Sequence, residues 1–223
     1  ERDPENRLLS HGPRFRMDAE MVRDSALFTS GLLVDRIGGP SVKPYQPEGV
    51  WEAIAMNVSN TRSYQPDAGE GLYRRSMYWF WKRMAPPASM DIFNAPNREY
   101  CVVRRERTNT PLQALVTLND VQFVEAARVL AQQVLTGAAQ EDDARINEIA
   151  IRIVSRPLSD AEQAIVGSSL QELRDWYGSH PEEAAKLLAY GETPVDEKLD
   201  AAELAAWTML VNELMNLDEV LCK

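Results

Sequence analysis

The sequence predicts a mainly α fold, a helical bundle or array with one Pro/Gly-rich loop and two short segments able to pair as a β-hairpin. Three observations carry this. Residues 112–223 show apolar residues recurring at helical spacing. Ser, Thr or Asp stands three residues before Glu or Gln at four helix starts. The connections between these segments are short. A chain of 223 residues with 44% hydrophobic and 26% charged residues is ordinary for a globular protein and long enough to bury a core.

Along the chain, residues 17–29 of PRFRMDAEMVRDSALFTSG form the first expected helix, ended by Gly31. The string IGGPSVKPYQPEG follows, too rich in Gly and Pro for helix or strand. SMYWFWKR and REYCVVRRE are aromatic and β-branched and read as two short strands; a continuous helix over 71–84 competes for the first. Thr110-Pro111-Leu112-Gln113 is a capping box with Pro at the first helical position. Asp120 caps VQFVEAARVLAQQVL, which Gly137 ends, and Ile146, Ile149 and Ile153 mark a helix over 142–155 stopped by Arg156-Pro157. Ser159 to Glu162 opens a helix running to about residue 177, Ser179 to Glu182 opens PEEAAKLLAYG, and Asp200 to Glu203 opens the last. Leu204, Trp207, Val211 and Leu214 form its apolar stripe. The chain reads as a single domain over 1–223, with 1–110 a mixture of loop, helix and short strand and 111–223 helical.

The net charge of −10 is uneven: residues 1–111 carry 16 Lys+Arg against 14 Asp+Glu, and 112–223 carry 8 against 20. Such an acidic protein is a poor generic nucleic-acid binder, and nucleic acid is not an expected partner. No apolar run approaches the roughly 20 residues that span a bilayer. Cys101 and Cys222 lie far apart, with neither C-x-x-C nor C-x-x-C-H, so no zinc knuckle or haem attachment is encoded. The only histidines, His11 and His180, are isolated, and no metal is expected. The chain opens ERDPENRLLS, polar and without Met, which reads as a fragment or processed form.

The run from Tyr73 to Asn119 concentrates arginines and aromatics, the residue types that clamp anions and stack on sugars or guanidinium planes. Candidate anion-binding or domain-interface residues are Arg74, Arg75, Arg98, Arg104, Arg105, Arg107 and Asn109. The positive end of the helix after Thr110 lies close by. The competing reading makes these arginines salt-bridge partners of the acidic helices. Trp79 and Trp81 alternate so that two indoles would share one strand face, a sugar platform if exposed and core if buried. Asp18, Glu20 and Asp24 beside Arg14, Arg16 and Arg23 are read as salt-bridge partners rather than an acid/base pair. Ser41, Lys43 and Tyr45 have neither P-loop nor nucleophile-elbow spacing. No catalytic signature accompanies the arginines.

Five strings carry a family resemblance: ENRLLSHGPRFRMDAEMVRDSAL, GGPSVKPYQPEGVWE, LYRRSMYWFWKRMAPPASM, FNAPNREYCVVRRERTNTPLQALVTLNDVQFVEAAR and NELMNLDEVL. Together they resemble the planctomycete-specific C-terminal domain catalogued as domain of unknown function 1553, from Glu5 to Leu221. The resemblance implies the C-terminal part of a larger exported protein, periplasmic or extracellular. Upstream it implies a companion domain of the 1549 family, often a planctomycete-type c-haem cytochrome domain, and in some members a carbohydrate-binding module. No cofactor is expected in this chain; c-type haem would belong to the parent protein. The implied role is binding or scaffolding against an upstream domain or an anionic polysaccharide. The alternative is a share in the active site of a cytochrome-linked oxidative or hydrolytic enzyme acting on complex polysaccharide. The resemblance carries over no catalytic residues. Asn94 stands where the family often has Asp.

Overall fold

The structure is a computed structural model that describes residues 3, 5–10, 12 and 14–223; His11 lies outside the described residues. Among the described residues ten α-helices follow one another: α1 (Ala19–Thr29), α2 (Glu70–Tyr73), α3 (Ala88–Ile92), α4 (Pro111–Asn119), α5 (Val121–Leu135), α6 (Asp142–Val154), α7 (Asp160–Ser179), α8 (Pro181–Leu188), α9 (Ala201–Met215) and α10 (Asp218–Leu221). A 3-10 turn covers Ser76–Tyr78. The fold is mainly α, and among the described residues it has no sheet, only isolated bridges.

Helices α5 and α9 form the centre, because most residues of each are buried. Ala126, Ala127, Leu130 and Val134 of α5 and Leu204, Ala205, Trp207 and Val211 of α9 are fully buried. Helices α7 and α8 cover α9, while α1 covers α5. The caps hold as the spacing predicts: Thr110 accepts from the Gln113 N–H, Asp120 from Gln122, and Asp200 from Glu203. Ser159 and Glu162 complete a reciprocal box at α7. Arg174 ties three helices, reaching Asp142 of α6 at 2.5 Å and Glu203 of α9. The Trp207 indole donates to that same Glu203 at 2.7 Å.

Two expectations are corrected. Ser179 does not cap α8: α7 runs through it, and its hydroxyl donates back to the Asp175 carbonyl at 2.9 Å. His180 stands at the cap position, with Pro181 at the first turn of α8. The strand pair does not form either, and neither does a helix over 71–84. Around the first segment the chain folds as α2, the 3-10 turn and isolated bridges, including Val34 to Arg74 and Val42 to Trp79, while residues 101–110 form no β-bridge among the described residues.

The Gly/Pro-rich loop wraps a second, smaller apolar cluster. Trp51, 2% exposed, meets the Tyr64 ring edge-on at 4.9 Å and Phe80 at 5.6 Å, with the Lys82 ammonium over its face. The ends of the chain meet in a short antiparallel ladder. The Phe15 and Lys223 backbones exchange hydrogen bonds of 2.6 and 2.8 Å, and the Met17 N–H donates to Leu221 at 2.9 Å.

Candidate functional site

The arginines of the Tyr73–Asn119 run divide into those consumed by the fold and those left open. Arg74 is consumed. Its side chain is buried and donates to the carbonyls of Arg36, Gly38 and Pro40, and it stacks over the Tyr78 ring at 3.9 Å. Gly38 and Gly39 both take positive φ, 82° and 90°, a turn that brings the Gly38 and Pro40 carbonyls onto that guanidinium. Arg75 pairs with Asp35 at 2.7 Å on the surface. Arg105 grips Glu20 of α1 with both terminal nitrogens, at 2.6 and 3.1 Å, so its guanidinium is held charged even more firmly than usual. Its partners lie on α1 and not on the acidic second half.

The aromatics separate as well. Trp79 is 3% exposed and covered by Arg23, whose guanidinium lies 5.1 Å above it. Arg23 donates to the carbonyls of Leu72 and Arg74, to the Ser76 hydroxyl and to Gln122. Burial pulls its pKa down to about 10, against the opposing charge of Asp24. Trp81 is half-buried, and Arg98 lies over its ring at 4.7 Å. The structure therefore does not bring Trp79 and Trp81 together as one exposed face.

Arg98, Arg104 and Arg107 have no carboxylate partner among the described residues. Arg104 and Arg107 are exposed, and Arg107 rests only on the Phe15 ring at 4.9 Å. They belong to an arm, residues 95–109, that leaves the body and returns. A clasp closes its base: the Asn94 amide donates to the Thr108 hydroxyl at 2.7 Å, and Gln113 donates to the same oxygen at 3.1 Å. The Asn94 nitrogen is the donor there, so an Asp in its place would have to accept from Thr108. On one side the Trp81 indole donates to the Asn97 carbonyl at 3.2 Å, and on the other Arg105 holds Glu20. Between these anchors Tyr100 is 70% exposed and Val103 fully exposed. Leu112 and Leu115 on α4 add further exposed apolar surface, and Asn109 is exposed beside them.

A cleft of about 450 Å³ opens between α1, α5 and α6, floored by Met17, Phe123, Ile153 and Met215. Most of its lining charges are already spent: Glu20 on Arg105, Arg75 on Asp35, Asp24 on Ser76, and Arg152 on Glu148 at 2.6 Å. It lacks the convergent free polar groups of a small-molecule site. Among the described residues no cluster of His, Cys, Asp and Glu could hold a metal, and no helix is long and apolar enough to cross a membrane.

One polar centre was not legible in the sequence. Glu125 and Arg128 of α5 are both buried, 3.9 Å apart. Glu125 accepts from the Tyr73 hydroxyl at 2.9 Å and the Thr193 N–H at 2.7 Å, and Arg128 donates to the Thr193 carbonyl at 2.6 Å. The Tyr45 hydroxyl accepts from the Glu192 N–H at 2.8 Å, and burial pushes its pKa up. This knot fastens the α8–α9 connection to α5 and to the Pro/Gly-rich loop. Its signal was two charges three residues apart inside the apolar run VQFVEAARVL.

Fold and site together define a helical domain with buried charges at its centre and with three arginines on one arm, Arg98, Arg104 and Arg107, that have no carboxylate partner among the described residues. The chain belongs to the family PSD1, protein of unknown function (DUF1553), whose model matches residues 1–170. The match ends within α7, short of the Glu5–Leu221 span of the resemblance. No curated protein and no solved structure matches the chain.

Proposed function

We propose that this chain is a docking and scaffolding domain that uses the 95–109 arm and the exposed side of α4 to contact another domain of the same protein. The observation that carries the reading is the composition of that surface. Arg98, Arg104 and Arg107 lack carboxylates among the described residues, next to exposed Tyr100, Val103, Leu112 and Leu115. Unpaired guanidinium groups around apolar side chains suit a protein surface with an apolar centre and an acidic rim. Branched aliphatic side chains offer little to a polysaccharide, which is why the protein partner is favoured over an anionic glycan. A location outside the cytoplasm and a haem-bearing neighbour belong to the same proposal. Haem would not attach to this chain, since Cys101 is exposed on the arm and Cys222 donates to Asp218, neither in a Cys-x-x-Cys-His context.

The test uses the intact protein with a protease site engineered immediately before residue 1. After cleavage the two parts should co-elute in gel filtration, and Arg104→Glu with Arg107→Glu should separate them. Separation of the unmodified parts, or co-elution that survives the charge reversal, would sink the reading.

A further inference from the structure

We propose that the Arg104–Arg105 peptide bond is a modification site, cut by an arginine-directed endoprotease, and that the two pieces stay together as one domain. The inference goes beyond the docking reading and does not depend on it.

A protease must draw several residues of its substrate into its cleft. It therefore cuts where the backbone is exposed and has no hydrogen bonds to give up. Among the described residues, the backbone of residues 100–109 makes no hydrogen bond, and residues 101–104 are all exposed. The bend at 103–104 can open without breaking any backbone pairing. Other exposed basic residues in loops beyond residue 16 are tied down. The Arg36 carbonyl accepts from Arg74 at 2.9 Å, and the Arg62 N–H donates to the Ser59 carbonyl at 3.3 Å. Arg83 sits in a turn closed by the Ala85 N–H on the Lys82 carbonyl at 3.0 Å, and the Lys198 N–H donates to the Asp196 carboxylate at 3.0 Å.

Within the arm, the side chains choose the bond. The Arg105 guanidinium is occupied by Glu20. Arg107 lies on Phe15, and Thr108 after it is held by Asn94 and Gln113. Arg104 is exposed and has no hydrogen bond, ion pair or ring contact among the described residues, so its guanidinium is free to enter the acidic pocket by which a trypsin-like protease reads arginine. Water adds across the amide, leaving a carboxylate on Arg104 and an amine on Arg105.

The cut divides 1–104 from 105–223, yet the core spans both pieces. Helix α1 of the first packs on α5 of the second. Tyr73 donates to Glu125 at 2.9 Å, Gln133 to the Ser30 carbonyl at 2.9 Å, and the Met17 N–H to Leu221 at 2.9 Å.

Brief digestion of the 223-residue chain with trypsin, the fragments mapped by mass spectrometry, tests both halves. Between residues 16 and 222 the first cut should fall after Arg104, at least about tenfold faster than at any other bond, because it alone needs no local unfolding. Arg104→Gln, a surface change, should slow cutting of the arm about tenfold with unchanged helical circular dichroism. The nicked chain should elute in gel filtration as one particle and separate into 1–104 and 105–223 only in denaturant. First cuts at Arg62 or Arg83, cuts scattered through the helices, or an Arg104→Gln variant nicked as fast as wild type each overturn the site. Pieces that part without denaturant overturn the second half. The same digestion of the intact protein separates this inference from docking: slower cutting there fits a covered arm, whereas equal rates leave the site standing and count against docking.

Discussion

Replacing Glu125 with Ala isolates a charge that the fold has no other means of neutralising. The Arg128 side chain is 1% exposed, and two of its nitrogens, Nε and Nη1, have no hydrogen-bond partner among the described residues. Burial already pulls its pKa down, and the nearby Glu125 is the main opposing influence. Removing one partner of a buried pair costs about 3–5 kcal/mol. The loss includes the hydrogen bonds from the Tyr73 hydroxyl and the Thr193 N–H. Against a total stability of about 5–15 kcal/mol that is a large share. With a urea m-value near the upper end of about 1–3 kcal/mol/M, the midpoint should fall by about 1–2 M. The double replacement Glu125→Leu with Arg128→Met removes both charges and should recover most of the loss, leaving about 1–2 kcal/mol for the Thr193 N–H and C=O that lose their partners. A single variant less than about 1 kcal/mol below wild type, or a double variant as unstable as the single, would refute the reasoning.

Gly191 tests the same knot from its other side: φ is 86°, and a Cβ there would come within 2.5 Å of Glu125 Cγ and Oε1. Gly191→Ala should cost about 2 kcal/mol or more and lower Tm by roughly 4–8 °C. Gly167→Ala, within α7 and with open space around it, should instead add about 0.5–1 kcal/mol; equal effects at the two sites would contradict this. Acid should loosen the junction of α6, α7 and α10 early. Arg156 bridges Glu162 and Glu219, and its hydrogen bonds hold Glu162 down to about 2 against an ordinary 4.5. The unfolded chain then binds more protons, so this contribution is present above about 4.5 and fades as pH falls from there towards 2. Glu162→Gln should flatten stability over that interval; an unchanged acid profile would exclude the pair as its source.

Elements governed by neighbours in the chain were legible, and those governed by distant partners were not. Thr110, Ser159 and Asp200 act within three residues of themselves, and each caps as its spacing says. Ser179 has the same local pattern, but α7 continues through it and the competing bond to Asp175 wins. Around Tyr73–Trp81 the decisive group is Arg23, about fifty residues earlier in the chain. A guanidinium in the core needs free carbonyls, and the bend between α2 and the 3-10 turn presents those of Leu72 and Arg74. A strand or an unbroken helix would have spent those carbonyls on itself. The same logic makes Arg74 a loop fastener, although its sequence context matched the open arginines of the arm.

The ladder between Phe15–Met17 and Leu221–Lys223 has a mechanical side. Its two segments run antiparallel through one bridge, so a pull applied at Phe15 and Lys223 loads the Phe15–Lys223 rung before the Met17–Leu221 bond. The hydrogen bonds would then break in succession, as in opening a zipper, and never share the force as a sheared pair does. Tension carried through this domain would be released at low force from its margin, while the α5–α9 centre stayed intact.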